Sequence, residues 1–305
     1  MKSDKHVMLV FLDGVGVGSK NPKINPCFNA NMYSIKKYFD GNIPSKKSNH
    51  FRNEECSYTS INATLGVSGL PQSGTGQSAL LTGVNTAKVI GKHFGPYLYS
   101  SLKSIVEERN IFKQLQNAGY QSCYANAFPK QYFDYIATHN RDAAISYAWR
   151  STGAALNDAD TLRNHHGLSA DITNDRWDSL GYSDITPITV EQAVKRFIKI
   201  AERCNFVLFE FFYTDHAGHS QSMHQAVSVL EKIDSFIGNI VEKMDRNKMM
   251  LVITSDHGNI EDLSTKSHTR NPVPFFAIGK NHHLFTKKVK KITDVTPAIL
   301  EFIKS

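Results

Sequence analysis

Aspartate and histidine side chains of the kinds that bind divalent metals recur along this chain at spacings that suit a shared ion. Asp215 and His219 are four residues apart, so a turn brings both to one ion, and Asp256 lies directly before His257. Carboxylate and neutral imidazole groups are good ligands for zinc or manganese. With two further candidates from other parts of the chain, the predicted ligands are Asp13, Asp215, His219, Asp256, His257 and His268.

One residue of this kind alone indicates little, because Asp and His in loops usually cap helices or face solvent. His216, beside Asp215, is interpreted in that way. The predicted ligands differ because they cluster after apolar segments that read as buried strands. Carboxylates gathered at one edge of a sheet repel each other unless a cation joins them, so the clustering favours a metal site.

A hydroxyl nucleophile is available in the Gly-rich stretch Pro-Gln-Ser-Gly-Thr-Gly-Gln-Ser-Ala-Leu-Leu at residues 71–81. Ser73 lies at the turn that opens an apolar helix, close to backbone amides that hold anions. Ordinary N-capping would be the better explanation if this stretch stood alone. Beside metal ions, whose charge lowers the hydroxyl pKa and screens an incoming phosphate, we interpret Ser73 as the catalytic nucleophile.

Three apolar segments predict buried strands that each end in an aspartate, at residues 7–12, 206–213 and 249–254. A further strand is predicted at residues 121–128, and helices at residues 77–81, 110–118, 190–203 and 224–243. This alternation predicts an α/β fold, a three-layer sandwich whose mostly parallel central sheet is covered on both faces. Ligand sites in such sheets lie beyond the carboxyl ends of the strands, where the aspartates fall.

Residues 129–187 differ from the rest of the chain, because they are rich in Asn, Asp, Arg and His and show only broken helical periodicity. We expect this segment to form a small inserted cap. The remaining residues, 1–128 plus 188–305, are then the metalloenzyme core.

Composition indicates a small anionic ligand and a reducing compartment. The 35 basic and 28 acidic residues leave a net charge of +7, but no zinc-finger spacing accompanies it, so we expect no nucleic-acid partner. The four cysteines are widely spaced without a CxxC pair, which favours a cytoplasmic protein. The first apolar run ends at Asp13, too early for a signal peptide or membrane span, so we expect no membrane association. Nothing in the sequence indicates an oligomeric state.

Several short motifs resemble those of the alkaline phosphatase superfamily, and most closely its metalloenzyme branch, which contains cofactor-independent phosphoglycerate mutase and phosphopentomutase. They are Leu12-Asp13-Gly14, Asp215-x-x-Gly218-His219, Ser255-Asp256-His257-Gly258-Asn259 and His268-Thr269-x-Asn271-Pro272. The resemblance covers residues 1–128 and 190–305. It implies two divalent ions, Mn or Zn, one bound by Asp215, His219 and His268 and the other by Asp13, Asp256 and His257. It also implies that Ser73 faces or bridges both ions.

Two departures from the pattern of these mutases bear on function. Their nucleophile precedes a Gly-His pair by three residues, and Gly76-Gln77 stands here instead, which leaves Thr75 as an alternative nucleophile. Their large inserted domain carries basic motifs that have no match in residues 129–187. Candidate residues for binding an anionic substrate are therefore chosen by charge and position alone. They are Lys92, His93, Arg141 and Arg150.

These features predict a two-metal phosphatase or phosphodiesterase that hydrolyses a small phosphorylated substrate through a phosphoseryl intermediate. A small cap that leaves the site open to water favours hydrolysis. The alternative is a phosphosugar or phosphoglycerate mutase, in which a closed cap returns the phosphoryl group to the substrate. A non-catalytic binding protein on the same fold is a third possibility, disfavoured because no predicted ligand or hydroxyl is missing.

Overall fold

The computed structural model describes residues 4–48 and 50–305. Within this part, no helix is both long and apolar enough to cross a membrane. The strands are β1 (His6–Leu12), β2 (His50–Arg52), β3 (Cys56–Ile61), β4 (Ser122–Tyr124), β5 (Asn126–Ala127), β6 (Leu168–Ser169), β7 (Phe206–Phe211), β8 (Met249–Thr254) and β9 (Val273–Ile278). The helices are α1 (Tyr33–Tyr38), α2 (Ser73–Thr82), α3 (Thr86–Ile90), α4 (Lys103–Arg109), α5 (Ile111–Asn117), α6 (Lys130–His139), α7 (Ala144–Arg150), α8 (Ala159–Arg163), α9 (Val190–Ala201), α10 (Tyr213–Ser220), α11 (Met223–Lys243), α12 (His283–Lys288) and α13 (Val295–Lys304).

A seven-stranded sheet in the order β2-β3-β9-β8-β1-β7-β4 forms the middle layer. The strands β8, β1, β7 and β4 pair in parallel. Strand β9 is antiparallel to β8 and to β3, and β2 is antiparallel to β3. Because β3 thus runs with the parallel set, five of the seven strands point in one direction. The predicted α/β fold with a mostly parallel sheet is confirmed.

Alternate residues of the central strands enter two separate cores, one on each face of the sheet. In β1, Met8 and Val10 join a core that also contains residues of α1, α9 and α11. Leu9 and Phe11 join the opposite core, with residues of α2, α5 and α13. Helices therefore cover both faces, as a three-layer sandwich requires.

Two of the helices begin after polar residues that cap them. Asn110 caps α5 by accepting a hydrogen bond from the Lys113 amide at 2.9 Å. Thr189 caps α9 by accepting from the Gln192 amide at 3.2 Å, and the Gln192 side chain accepts from the Thr189 amide in return. Such caps satisfy amides that the first helical turn leaves unpaired.

Three predicted elements have different bounds in the structure. The strand predicted at 206–213 ends at Phe211, and α10 begins at Tyr213, because the aromatic residues that extend the apolar run belong to a helical turn. The helix predicted at 77–81 already begins at Ser73. Its glycines form part of the first turn and not a loop before it. The strand predicted at 121–128 divides into β4 and β5, and β5 pairs with β6 outside the main sheet.

Part of the segment 129–187 packs within the main cores. Helix α7 contacts α2, α4 and α5, and its residues Ile145 and Ala148 lie in the same core as α2. Other parts of the segment gather in a small separate core around Leu162 and Trp177. The cap boundaries remain a prediction, and the packing of α7 favours a cap that starts after Arg150.

Replacing Ile145 by Ala tests that packing. Ile145 is 1% exposed and lies in the core that supports α2. We expect Ile145→Ala to lower the free energy of unfolding by about 2–5 kcal/mol through lost burial and a cavity, measured by urea denaturation. The exposed Val89 is the control, since Val89→Ala should change stability by less than about 0.5 kcal/mol. Wild-type stability in Ile145→Ala would instead assign α7 to a detachable cap.

Candidate metal centre and nucleophile

The carboxyl ends of three neighbouring strands bring three aspartates together. Strands β8, β1 and β7 lie side by side and parallel, so their carboxyl ends meet at one edge of the sheet. Asp13 directly follows β1, Asp256 comes just after β8, and Asp215 lies in the first turn of α10, after β7. The six predicted ligands form two groups here, each with its ligand atoms within 4.8 Å of one another.

The outer ligand group consists of Asp215, His219 and His268. Asp215 and His219 lie one turn apart on α10, with His219 Nε2 at 3.2 Å from Asp215 Oδ2. His268 Nε2 lies 3.6 Å from Asp215 Oδ1 and 3.2 Å from His219 Nε2. The side chain of His219 is 44% exposed, so this group faces solvent.

The inner ligand group consists of Asp13, Asp256 and His257. His257 Nε2 lies 3.3 Å from Asp13 Oδ1 and 3.5 Å from Asp256 Oδ2. The side chains of Asp256 and His257 are fully buried. The rings of His257 and His268 stack with their centroids 3.8 Å apart, so the inner and outer groups are direct neighbours.

Backbone carbonyls orient the histidines of both groups. His219 Nδ1 lies 2.8 Å from the Lys266 carbonyl oxygen, and His268 Nδ1 lies 2.7 Å from that of Pro71. His257 Nδ1 has a longer contact, 3.4 Å, with the Gly258 carbonyl. When Nδ1 donates its proton to a carbonyl, Nε2 is left as a lone pair, which is the arrangement that metal-binding histidines adopt. Here each Nε2 faces the carboxylates.

The electrostatics of the metal-free site differ between the two groups. Burial raises the pKa of Asp13, and burial together with the Asp13 charge raises the pKa of Asp256 well above its usual range. Burial opposes protonation of His257, yet Asp256 and Asp13 raise the pKa of His257 to about 10. Burial and the neighbouring His257 lower the pKa of His268 to about 4. At neutral pH the inner group therefore retains protons, whereas His268 is neutral.

These residues fit divalent cations. Asp13 Oδ1 and Asp256 Oδ2 are buried and accept no hydrogen bond within the part of the chain that the structure describes. Buried carboxylate oxygens without a hydrogen bond are costly, and a cation that binds them removes that cost. Each group combines carboxylate oxygen with imidazole nitrogen, a donor set that suits zinc or manganese.

Ser73 lies against the inner ligand group. It is the first residue of α2, and its Oγ is 3.0 Å from His257 Nε2. The side chain sits at the positive end of the helix dipole, which favours an anion beside it. The structure thus brings Ser73 together with the ligands predicted for the metals.

Thr75, the alternative nucleophile, has a different setting. Its hydroxyl donates to the Gln72 carbonyl at 3.1 Å and accepts from the Phe94 amide at 3.2 Å. Thr75 is fully buried, and its own amide donates to the Phe94 carbonyl at 2.9 Å. Its contacts hold the segment around Phe94 against α2 and give it no contact with either ligand group.

Gln77, where the family pattern has histidine, also lies at the inner ligand group. Its Nε2 donates to Asp13 Oδ2 at 3.3 Å, and its Oε1 is buried without a donor among the described residues. The Gln77 amide thus hydrogen-bonds one carboxylate oxygen of Asp13, while the other oxygen, Oδ1, faces His257.

The predicted substrate-binding residues have unequal settings. Lys92 is exposed and lies over the ring of Tyr99, while His93 packs near Gly69 with its Nε2 buried and unpaired among the described residues. Arg141 lies over the ring of Tyr97, whose carbonyl packs directly against Gly74, next to Ser73. Of these three, Arg141 is connected to the nucleophile turn through Tyr97.

Arg150, the fourth candidate, is already engaged elsewhere. Its Nη1 donates to the buried carboxylate of Asp142 at 2.7 Å. Asp142 also accepts from Tyr132 and Ser146. This network leaves Arg150 with a structural role, and its contact with substrate remains a prediction.

Sequence reasoning assigned no role to three polar residues in and around the site. Asn259 Nδ2 donates to Asp215 Oδ1 at 2.6 Å, and Glu261 accepts hydrogen bonds from loops on both sides of the site. Glu210 in β7 is buried beside Tyr124, and burial raises its pKa to about 8. Glu210 had a sequence signal as the one acid inside an apolar strand, and Asn259 is the last residue of the motif at residues 255–259. Nothing in a single sequence separates Glu261 from an acidic residue of an exposed loop.

A family model described as Metalloenzyme superfamily matches residues 181–305, the part that carries both histidines of the outer group. One curated relative is a 2,3-bisphosphoglycerate-independent phosphoglycerate mutase from Thermomicrobium roseum, 31% identical over 115 residues. The match covers 34% of this chain and 22% of the relative. The chain thus spans less than a quarter of that relative's length.

Two solved structures match nearly the whole chain at low sequence identity. A protein from Pyrococcus horikoshii aligns with a TM-score of 0.60 and 14% identity, over 99% of this chain and 98% of that one. Alkaline phosphatase from the Antarctic bacterium TAB5 aligns with a TM-score of 0.55 and 13% identity, over 100% of this chain and 99% of that one. The chain therefore has the fold of these proteins, and its residues 181–305 are similar to the metalloenzyme superfamily.

Proposed function

We propose that this chain is a metal-dependent phosphotransferase that acts on a small phosphorylated substrate through a phosphoseryl intermediate at Ser73. One observation carries the proposal. The Ser73 hydroxyl lies 3.0 Å from His257 Nε2, beside two adjacent groups of metal-ligand residues. Two divalent ions, Mn or Zn, would be held by the outer and inner ligand groups, and resemblance favours Mn.

In the proposed reaction, Ser73 Oγ attacks the phosphorus of the substrate in line with the departing ester oxygen. Its proton passes to water, the bond to the ester oxygen breaks, and that oxygen takes up a proton from water. Bound divalent ions would lower the pKa of the Ser73 hydroxyl and screen the charge of the phosphoryl oxygens. A second nucleophile then attacks the phosphoserine and frees Ser73.

The identity of that second nucleophile separates a mutase from a hydrolase. The curated relatives are named phosphoglycerate mutases, which supports a mutase, in which a substrate hydroxyl takes back the phosphoryl group. We therefore prefer the mutase to the hydrolase that the sequence alone favoured. Hydrolysis remains the second candidate because His219, 44% exposed, leaves the outer ligand group open to water.

Lys92, His93 and Arg141 are the proposed contacts for the rest of the substrate, and Arg141 is supported by its position over Tyr97, whose carbonyl packs against Gly74. A cytoplasmic location is also proposed, on the ground that cysteines Cys27, Cys56, Cys123 and Cys204 are all free thiols. A binding protein without catalysis is the weakest reading, because both ligand groups and the hydroxyl are assembled.

The first expectation concerns metal content and its dependence on pH. We expect the purified protein to bind about two Mn²⁺ per chain, measured by isothermal titration after removal of metal with a chelator. His257 has its pKa raised to about 10, so metal binding must displace a proton at neutral pH. Affinity should therefore rise as the pH is raised from about 6 to 9. Titration in buffers of different ionisation enthalpy measures the released protons.

The outer ligand group should show the weaker pH dependence of the two. His268, with its pKa lowered to about 4, is already neutral and loses no proton when it binds metal. Binding without proton release, or no binding by wild-type protein, would contradict the assignment of the inner group.

The second expectation is that Ser73→Ala reduces turnover by roughly 10³-fold or more, because metals and binding groups alone leave only residual catalysis. Thr75→Ala should reduce turnover far less and cost about 1 kcal/mol of stability through its lost hydrogen bonds. Ser78→Ala is the matched control, because the Ser78 hydroxyl only bonds the Gly74 carbonyl within α2.

Mass spectrometry of protein quenched during turnover should find phosphate on the peptide that contains Ser73. Phosphate on Thr75, or near-normal turnover of Ser73→Ala, would show that the nucleophile is misassigned. Attack by a water molecule would then be the better mechanism.

The third expectation concerns the product. Metal-loaded protein incubated with phosphoglycerate or a pentose phosphate should yield an isomer of that substrate with the phosphate at a different position, and no free phosphate. Phosphorus NMR measures both products. Ser73→Ala serves as the inactive control. Release of inorganic phosphate would support the hydrolase instead. Absence of both products across a panel of small phosphorylated metabolites would contradict the proposed function.

A further inference from the structure

Glu261, four residues after His257, is a buried carboxylate that lies behind the ligand groups. It is 1% exposed. Its Oε2 accepts from the Gly16 amide at 2.9 Å and from the Asn259 amide at 2.8 Å. Its Oε1 accepts from the Thr269 hydroxyl and from Asn271 Nδ2, the second at 2.8 Å. A buried carboxylate is tolerable when its lone pairs are satisfied in this way.

The donors to Glu261 come from the loop after β1 and from two parts of the long loop between β8 and β9, and each of these three segments carries metal-ligand residues. Gly16 follows Asp13 after β1, and Asn259 follows Asp256 and His257 after β8. Thr269 directly follows His268 in the loop that leads to β9. One side chain therefore links the two segments that carry the inner ligand group to the segment that supplies His268 to the outer group.

The outer group has a second connection to Glu261 through Asn259. The Asn259 amide donates to Glu261, while its side chain donates to Asp215 Oδ1 at 2.6 Å. Gly218, one residue before His219, leaves the space that the Asn259 side chain occupies, since a Cβ there would lie 2.6 Å from Asn259 Cγ. Asp215 is thus connected to Glu261 through one intermediate residue, Asn259.

Three glycines make room for the Glu261 side chain. A Cβ atom at Gly16 or at Gly258 would overlap the Glu261 carboxylate, and one at Gly18 would lie 2.8 Å from Glu261 Cγ. Side chains at these positions would push the loops away from Glu261. The absence of side chains at Gly16, Gly18 and Gly258 therefore allows the backbone of these loops to lie directly against the Glu261 carboxylate, which accepts their hydrogen bonds.

We infer that Glu261 is a positioning residue that fixes the geometry of both ligand groups and couples their metal affinities, while touching neither metal nor substrate. This inference rests on the proposed metal-dependent function. Partners of metal ligands typically change metal affinity or activity by about 10- to 100-fold when they are replaced. Because Glu261 bonds loops of both groups, its loss should weaken both sites together.

The test is Mn²⁺ titration of chelator-treated wild-type protein and Glu261→Gln by isothermal calorimetry. Glutamine keeps the size of the side chain but turns one acceptor atom into a donor that faces two other donors. We expect Glu261→Gln to weaken Mn²⁺ binding by about 10-fold or more at both ligand groups. Thr269→Val, which removes one donor from the His268 loop only, should weaken the outer group and spare the inner group.

A core variant separates positioning from general loss of stability. Leu115 is fully buried in α5, away from the Glu261 contacts, so Leu115→Ala should lower stability without changing Mn²⁺ affinity. Wild-type affinity of Glu261→Gln at both groups would overturn the inference. An equal loss of affinity in Leu115→Ala would overturn it as well.

Hydrogen exchange of the metal-free proteins tests the same inference without metal binding. In Glu261→Gln, peptides covering residues 13–18, 256–261 and 268–271 should exchange faster than in wild-type protein, whereas Leu115→Ala should leave them unchanged. Unchanged exchange in all three segments would overturn the positioning role. If wild-type protein binds no Mn²⁺, the proposed function fails, and hydrogen exchange still decides whether Glu261 holds the loops.

Discussion

Three carboxylates and three imidazoles lie within contact of each other at one edge of the sheet, and the surrounding structure depends on how their charges are balanced. Burial removes the water that would screen Asp13 and Asp256, so without a cation these groups share protons with His257. Divalent ions would replace those protons. They would also place positive charge where the Ser73 hydroxyl faces the inner group.

The fold meets this requirement by bringing distant parts of the chain to one edge of the sheet. The adjacency of β8, β1 and β7 aligns the loops that carry Asp256, Asp13 and Asp215. On the other side of the strands, α2 packs in a core with α7 and α13 and presents Ser73 to the same edge. Glu261 then ties the loops to each other. The position of the site is thus set by the strands, by the helices packed on them and by the buried Glu261 carboxylate.

The three parallel strands that precede the aspartates were predictable from the sequence because apolar runs and the residues that end them are local signals, whereas β2, β3, β6 and β9 were not predicted. Strand β8 begins and ends where its apolar run does. The start of α10 was not predictable, since Phe212 and Tyr213 extend the apolar pattern of β7 although they lie at the beginning of a helix. Ser73–Gly76 looked like a turn because glycine usually breaks helices, yet here Gly76 allows close packing on Asp256. The setting of Glu261 was not predictable, because it depends on how a long loop folds around the side chain and on a hydrogen bond from Gly16, 245 residues away in sequence.

The central claim is that two neighbouring ligand groups each hold a divalent ion beside Ser73. Crystals of the protein grown with Mn²⁺, with diffraction data collected at the manganese absorption edge, test it most directly. The account predicts two anomalous peaks about 3.5–4 Å apart, as in two-metal sites. One should lie among Asp215, His219 and His268, and the other among Asp13, Asp256 and His257. A single peak, or peaks away from these residues, would contradict it.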